Sequence, residues 1–295
     1  MNEEKSAYQI GNFENNKLVG ERYLSNEEYQ KFVESIFFLR KCNHTIDLYN
    51  FVIRNYNELI EHEEEESKTI REVKYSVAMG KTKFFYLEIN RMFLNYLTIV
   101  KSFIDYLETD FKRTYGTNSP QADAFKRITS ICFDNSFSYR FFYKLRNYAQ
   151  HIDLPISNIR LKSERVAKDK VIHYPIIVFN KKSLLEKFNE WGVMVKKDLE
   201  KFEDEFEVFY LLEEHIERMK YIYIEVTKIR ESEILKSTSF LTNLTNEYRE
   251  KYNNLCVFKS TPIYENNKLK SETVELQKIE LGLLDYLRKE ILRIY

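Results

Sequence analysis

The sequence predicts a mainly α-helical fold, a helical bundle carrying one small β-hairpin. Composition is the first reason: 22 Tyr and 22 Phe against 6 Gly and 4 Pro in 295 residues supply bulky core material and few chain breakers. Patterning is the second, because apolar residues recur at steps of three and four over long stretches and seldom alternate. At 43% hydrophobic content the chain can bury a sizeable core, so disorder is not expected.

Residues 8–24, with Gly11, Gly20 and several Asn, read as irregular or short-strand structure. Ser25 caps a first helix, followed by Asn26-Glu27-Glu28 and an apolar run through Phe32, Ile36, Phe37 and Leu39. A second helix is expected from Thr45 to Ile60, ending in the acidic run Glu61-His62-Glu63-Glu64-Glu65-Glu66, read as a solvated connector. From Lys81 to Phe111 the apolar residues, Phe84, Phe85 and Leu87 among them, lie nearly all round one long helix, which predicts burial. One polar stripe, Glu88, Arg91, Asn95, Thr98 and Ser102, runs down that helix. Ser119-Pro120 opens a short helix, and another runs from Phe137 to about Asp153, before Pro155. Residues 158–179 read as a hairpin with Pro175 on an edge strand. A three-four rhythm from Val195 to Val226 predicts one long packing helix. The last stretch mixes Leu255-Cys256-Val257-Phe258 with a final amphipathic helix containing Ile279, Leu284, Leu287 and Ile291. Three successive segments follow: a helical or irregular segment over 1–67, a bundle over 68–250 and an extension over 251–295.

With 46 basic and 46 acidic residues the formal charge is zero, so no global field draws the protein to nucleic acid or an anionic membrane. Any RNA contact is local. The widely spaced Cys42, Cys132 and Cys256 form neither a disulfide framework nor a zinc pattern, which points to a reducing, cytoplasmic setting. No apolar stretch approaches the roughly 20 residues needed to span a bilayer, and Met-Asn-Glu-Glu-Lys lacks the order of a signal peptide. Cys42-Asn43-His44 has no second ligand pair, and Glu213-Glu214-His215 lacks the second His of a zinc protease and reads as surface. His173 reads as packing. No Gly-rich phosphate loop is present, so nucleoside triphosphate hydrolysis is not expected. Neither a cofactor nor a metal is expected.

One constellation carries chemistry. Within Leu145-Arg146-Asn147-Tyr148-Ala149-Gln150-His151, Asn147 and His151 share a helix face while Arg146 and Gln150 lie on an adjacent one. A helix end thus offers a forked phosphate binder beside a residue type that titrates near neutrality. RNA cleavage by its own 2′-hydroxyl needs a proton acceptor, a proton donor and positive charge at phosphorus, and His with Arg covers these without a metal. Arg and His about a turn apart also arise on helices with no catalytic role.

At these residues the sequence resembles the HEPN superfamily, whose ribonucleases carry Arg, a polar residue and then His after a gap of four to six. Arg146 to His151 fits with a gap of four and Asn147 in the polar slot, and Leu154-Pro155 extends the likeness. The resemblance covers residues 80–155. It implies a helical bundle in which an earlier helix faces the motif, so that Glu88, Arg91 and Asn95, with Gln150, line the pocket or orient His151. It further implies a metal-independent endoribonuclease that acts on RNA as a homodimer, often as a toxin or abortive-infection effector against phage, restrained by an antitoxin or regulatory protein. Two alternatives stand beside it: a catalytically silent helical module that binds a nucleotide or a partner protein, and a regulatory subunit assembled through the helix from Val195 to Val226.

Overall fold

A computed structural model describes residues 6–265 and 268–294. Among them eight α-helices and seven strands make an α+β protein, 64% helix and 22% strand, with two antiparallel sheets of four and three strands. The expectation of a mainly α bundle with one hairpin is thereby corrected. The chain divides into two compact units, Thr45–Val226 and Met1–His44 with Thr227–Tyr295, and both boundaries fall within helices.

The unit of the outer segments is built on a sheet of order β2-β1-β6-β7, from β1 (Ala7–Glu14), β2 (Lys17–Leu24), β6 (Leu255–Glu265) and β7 (Lys268–Lys278). The stretch read as irregular or short-strand structure is a hairpin of two strands: Asn15 and Asn16 take φ of 50° and 59° at its tip, the left-handed pair that a two-residue turn requires. Gly11 faces Gly20 across it, and a Cβ on Gly11 would meet the Val19 carbonyl oxygen at 2.1 Å. Ile10, Leu24 and the run Leu255 to Phe258 are buried, as are Leu284, Leu287 and Ile291 of the final helix α8 (Leu281–Ile294). Every residue of β7 except Gln277 is exposed, and its Lys and Glu side chains suit an edge strand that must not recruit another.

Ser25 caps as expected. Its Oγ accepts from Glu28 N at 3.1 Å and the Glu28 carboxylate accepts from Ser25 N at 2.9 Å, a reciprocal capping box. The two helices expected after it are one, α1 (Asn26–Arg71), and the acidic run lies inside it. Buried Cys42, Thr45 and Ile46 explain the continuity, because packing overrides the weak helix preference of Cys-Asn-His-Thr.

In the central unit α2 (Tyr75–Tyr115) leads to α3 (Pro120–Asn135), α4 (Phe137–His151), then β3 (Asn158–Ala167), β4 (Lys170–Asn180) and the short α5 (Lys181–Lys187). Ser119 accepts from Ala122 N at 3.1 Å and Ser136 from Tyr139 N at 3.2 Å, so both short helices start where a capping side chain allows. β4 is the middle strand of β3-β4-β5, not an edge. Pro175 is tolerated there because β5 (Glu205–Glu207) pairs only with Val178–Asn180, leaving that flank of Pro175 without a ladder. The helix expected over Val195–Val226 is interrupted: α6 (Gly192–Leu199) ends, β5 intervenes, and α7 (Phe209–Thr245) begins. Phe202 and Phe206 keep the rhythm but pack on each other at 4.7 Å between ring centres and on the Phe137 and Phe179 side.

Trp191 anchors this core. It is fully buried, donates from Nε1 to Leu184 O at 2.9 Å, and stacks on Phe141 at 5.5 Å and on Tyr148 at 5.8 Å. Phe142 meets Phe93 edge-on at 5.5 Å. The helix bearing the Arg-His motif is thus held by its aromatic side.

Candidate active site

On α4 the buried residues Phe141, Phe142, Leu145 and Tyr148 fall at the i, i+1, i+4 and i+7 positions of one helix face. The opposite side presents Tyr143, Gln150 and His151 to solvent, with Arg146 and Asn147 half-buried. Asn147 and His151 share a face; Arg146 and His151 lie about 140° apart round the helix and flank it. The long Arg side chain does not bridge to His151. Its single side-chain hydrogen bond among the described residues runs from Nη1 to Asn147 Oδ1 at 3.4 Å, no carboxylate pairs with it there, and its Nε is buried without a partner.

Arg146 instead lines a small cavity with Leu97, Lys101, Tyr139, Phe142 and His215. Lys101 pairs with Asp105 and lies 5.5 Å from the Tyr143 ring centre. The cavity measures about 20 Å³, room for about one water molecule and not for a nucleobase. Anything larger than a water can meet the motif only from the exposed face of α4.

The expected supporting residues are elsewhere. α2 turns Phe93, Leu97, Val100 and Ile104 toward α4, and at about 100° per residue the stripe of Glu88, Arg91 and Asn95 falls on the far side. Arg91, Asn95, Thr98 and Ser102 are exposed, so the stripe is polar because water covers it. Phe84 and Leu87 beside it are also exposed, at 75% and 55%, so this helix is not buried all round. Arg91 Nε donates to Glu88 at 2.9 Å, which lowers the Glu88 carboxyl below its usual value and raises Arg91.

The α2 residue that reaches the motif region is Asn90. It is 1% exposed; its Oδ1 accepts from Ile156 N at 2.9 Å and its Nδ2 donates to Tyr86 O at 2.9 Å. Asn90 therefore pins the chain five residues past His151, and a polar residue on the apolar face of α2 was the signal in the sequence. Asn90→Leu leaves the Ile156 amide buried without an acceptor. It is expected to lower stability by about 1–3 kcal/mol, read as a shifted midpoint in urea with an unchanged slope.

His215 is corrected from surface to core. Leu211, His215 and Met219 stand four apart on α7, and each is buried. Tyr96 Oη and His215 Nδ1 share a hydrogen bond of 2.7 Å, and the imidazole lies 4.9 Å from the Phe142 ring. Burial pushes His215 down to about 3 and Tyr96 well above its ordinary value, so both stay neutral. The unfolded chain binds a proton at His215 below about pH 6.5 and the folded one does not. Stability is unaffected by His215 above that pH and falls as pH drops from about 6.5 toward 3. Between pH 7.5 and pH 5 the expected loss is about 2 kcal/mol, measured by urea unfolding at both pH values, and it vanishes in the Tyr96→Phe/His215→Phe double variant.

His173, read as packing, is 4% exposed and shares a hydrogen bond of 2.8 Å with Ser163 Oγ. Cys42, Cys132 and Cys256 are buried, and none forms a disulfide among the described residues. No helix of the described residues is long and apolar enough to cross a membrane. Comparison of the chain with protein-family models, with curated proteins and with solved structures gives no match.

Proposed function

We propose that this protein is a HEPN-type endoribonuclease that cuts RNA by attack of a 2′-hydroxyl on the adjacent phosphorus, without needing a metal ion. The observation that carries the reading is the state of Arg146: a guanidinium at the rim of an exposed helix end, with a buried Nε and no carboxylate partner among the described residues. Such a cation seeks an anion, and its planar fork suits phosphate. His151 and Asn147 on the neighbouring face offer a proton-transfer group and an amide at the same helix end. In the reaction the 2′-oxygen forms a bond to phosphorus as its proton leaves, the bond from phosphorus to the 5′-oxygen breaks, and that oxygen takes up a proton. The products are a 2′,3′-cyclic phosphate and a 5′-hydroxyl.

Because Arg146 and His151 flank one helix, a single copy does not close them around one phosphate. A homodimer in which two such faces meet supplies the missing half, and this is the assembly we assign to it. The setting that fits is the cytoplasm, with the enzyme acting as a toxin or anti-phage effector under a protein inhibitor. A second reading, a catalytically silent module that binds a nucleotide or a partner protein, draws on a different observation: His151 has no hydrogen-bond partner among the described residues to orient its ring. Incubating the protein with total cellular RNA in excess EDTA separates the two. The ribonuclease reading expects fragments ending in 2′,3′-cyclic phosphate; intact RNA under all conditions, with nucleotide retained, supports the silent module.

A further inference from the structure

Arg146 has a donor that phosphate binding leaves unused. Its Nε is buried and unpartnered, and the residue lines a cavity whose polar lining also includes His215, Lys101, Tyr139 and Tyr143; among these Lys101 already pairs with Asp105, and His215 is the one buried imidazole. The hydrogen bond between Tyr96 Oη and His215 Nδ1 commits one imidazole nitrogen and leaves Nε2 as its remaining polar atom. The cavity, about 20 Å³, accepts about one water. A water has two lone pairs and two protons, so it can accept from the Arg146 Nε–H and complement His215 Nε2 in either tautomer. An ionised carboxylate in this place would neutralise the guanidinium; a neutral imidazole satisfies its rear nitrogen and leaves its charge and both Nη groups for an anion in front.

We propose that His215, held by Tyr96, is a positioning residue for Arg146, joined to it through a single water in this cavity, so that the guanidinium fork is fixed toward the exposed face of α4. The kinetic part of this inference rests on the ribonuclease reading; the structural part does not.

The test uses the full chain and two substitutions. The Tyr96→Phe/His215→Phe double variant removes both members of the buried pair, leaves no orphaned hydroxyl and keeps aromatic rings at both positions beside Phe142 and Tyr139. His215→Gln keeps a polar end. The side-chain Nε–H signal of Arg146 is followed in a ¹H–¹⁵N spectrum, assigned by its loss in Arg146→Lys, while kcat and KM are measured on an RNA oligonucleotide in EDTA. The expected result is an exchange-protected Nε–H in the wild type that exchanges at least about tenfold faster in the double variant. With it, kcat falls about tenfold and KM stays within about twofold, and His215→Gln recovers most of both. Unchanged protection, or kcat within about twofold of the wild type, overturns the proposal. If the wild type cuts no RNA, the ribonuclease reading fails, and the Nε–H signal alone then decides whether His215 positions Arg146.

Discussion

On the ribonuclease reading, His151→Ala is expected to lower the rate of RNA cleavage by about 10²–10⁴-fold, the usual worth of a positioned proton-transfer group. The substitution is a clean one. The side chain is exposed and has no hydrogen-bond partner among the described residues, so its removal changes stability by no more than about 0.5 kcal/mol and lost cleavage cannot be blamed on lost fold. Arg146→Ala is expected to cost about 10²–10³-fold by removing charge opposite the phosphate, and Arg146→Lys restores little, because an ammonium lacks the planar fork. Urea unfolding of each variant beside its cleavage rate on one RNA oligonucleotide in EDTA makes the check. Cleavage persisting at the wild-type rate in His151→Ala ends the ribonuclease assignment.

The largest expected effect on stability comes from Arg140, near the start of α4. Its Nε and Nη2 donate to Asp198 Oδ2 at 2.8 and 2.5 Å, and its Nη1 donates to Phe133 O at 3.0 Å and Asp134 O at 3.3 Å. One side chain thus ties α4 to α6 and satisfies carbonyls at the end of α3, with both partners largely buried. Burial tends to raise the Asp198 carboxyl, but hydrogen bonds from Lys201 and Arg140 outweigh it and leave the group below its ordinary value. Removing one member of such a pair strands the other, so Arg140→Ala is expected to cost about 3–5 kcal/mol. Arg140→Met with Asp198→Leu should recover much of the loss, since it deletes both charges and keeps volume. Because the folded Asp198 holds its proton less tightly than the unfolded one, the pair contributes fully above the unfolded value near pH 4 and is lost as pH falls through the lower folded value. Urea titrations at pH 7 and in acid read both effects. A loss under about 1 kcal/mol would place the pair with exposed ion pairs.

What was legible in the sequence was whatever short-range chemistry decides. Ser25, Ser119 with Pro120, and the end of α4 before Pro155 were readable because caps and helix ends are set within four residues. The hairpin of β3 and β4 was readable for the same reason, its strands being joined by a tight turn. The four-stranded sheet was not: β7 has no buried alternation to show. α6 and α7 read as one helix since Leu199, Phe202, Phe206 and Phe209 keep a helical rhythm, and only pairing with β4 reveals that the chain between them is extended. At the site, spacing puts Asn147 and His151 on one face of α4 and Arg146 and Gln150 on an adjacent one, but polarity alone assigns Glu88, Arg91 and Asn95 to a buried setting that the structure does not give them. Which side of α2 meets α4 depends on packing of Phe93, Leu97 and Ile104, a tertiary choice that no single helix announces.

The pairing of β1 with β6 sets an order of events during synthesis. Gly11 and Cys256 are register partners and 245 residues apart. A ribosome adding about 5–20 residues per second takes roughly 12–50 s to supply the second after the first. Throughout that interval the hairpin of β1 and β2 has an open flank toward its missing neighbour, and a two-stranded ribbon by itself is marginal in water. All of Thr45–Val226, the motif helix included, leaves the ribosome before that flank can close. The nascent chain therefore has its central unit available for folding while its outer sheet still waits, and a growing chain paused before Leu255 is the species most open to capture by chaperones or by other exposed strands.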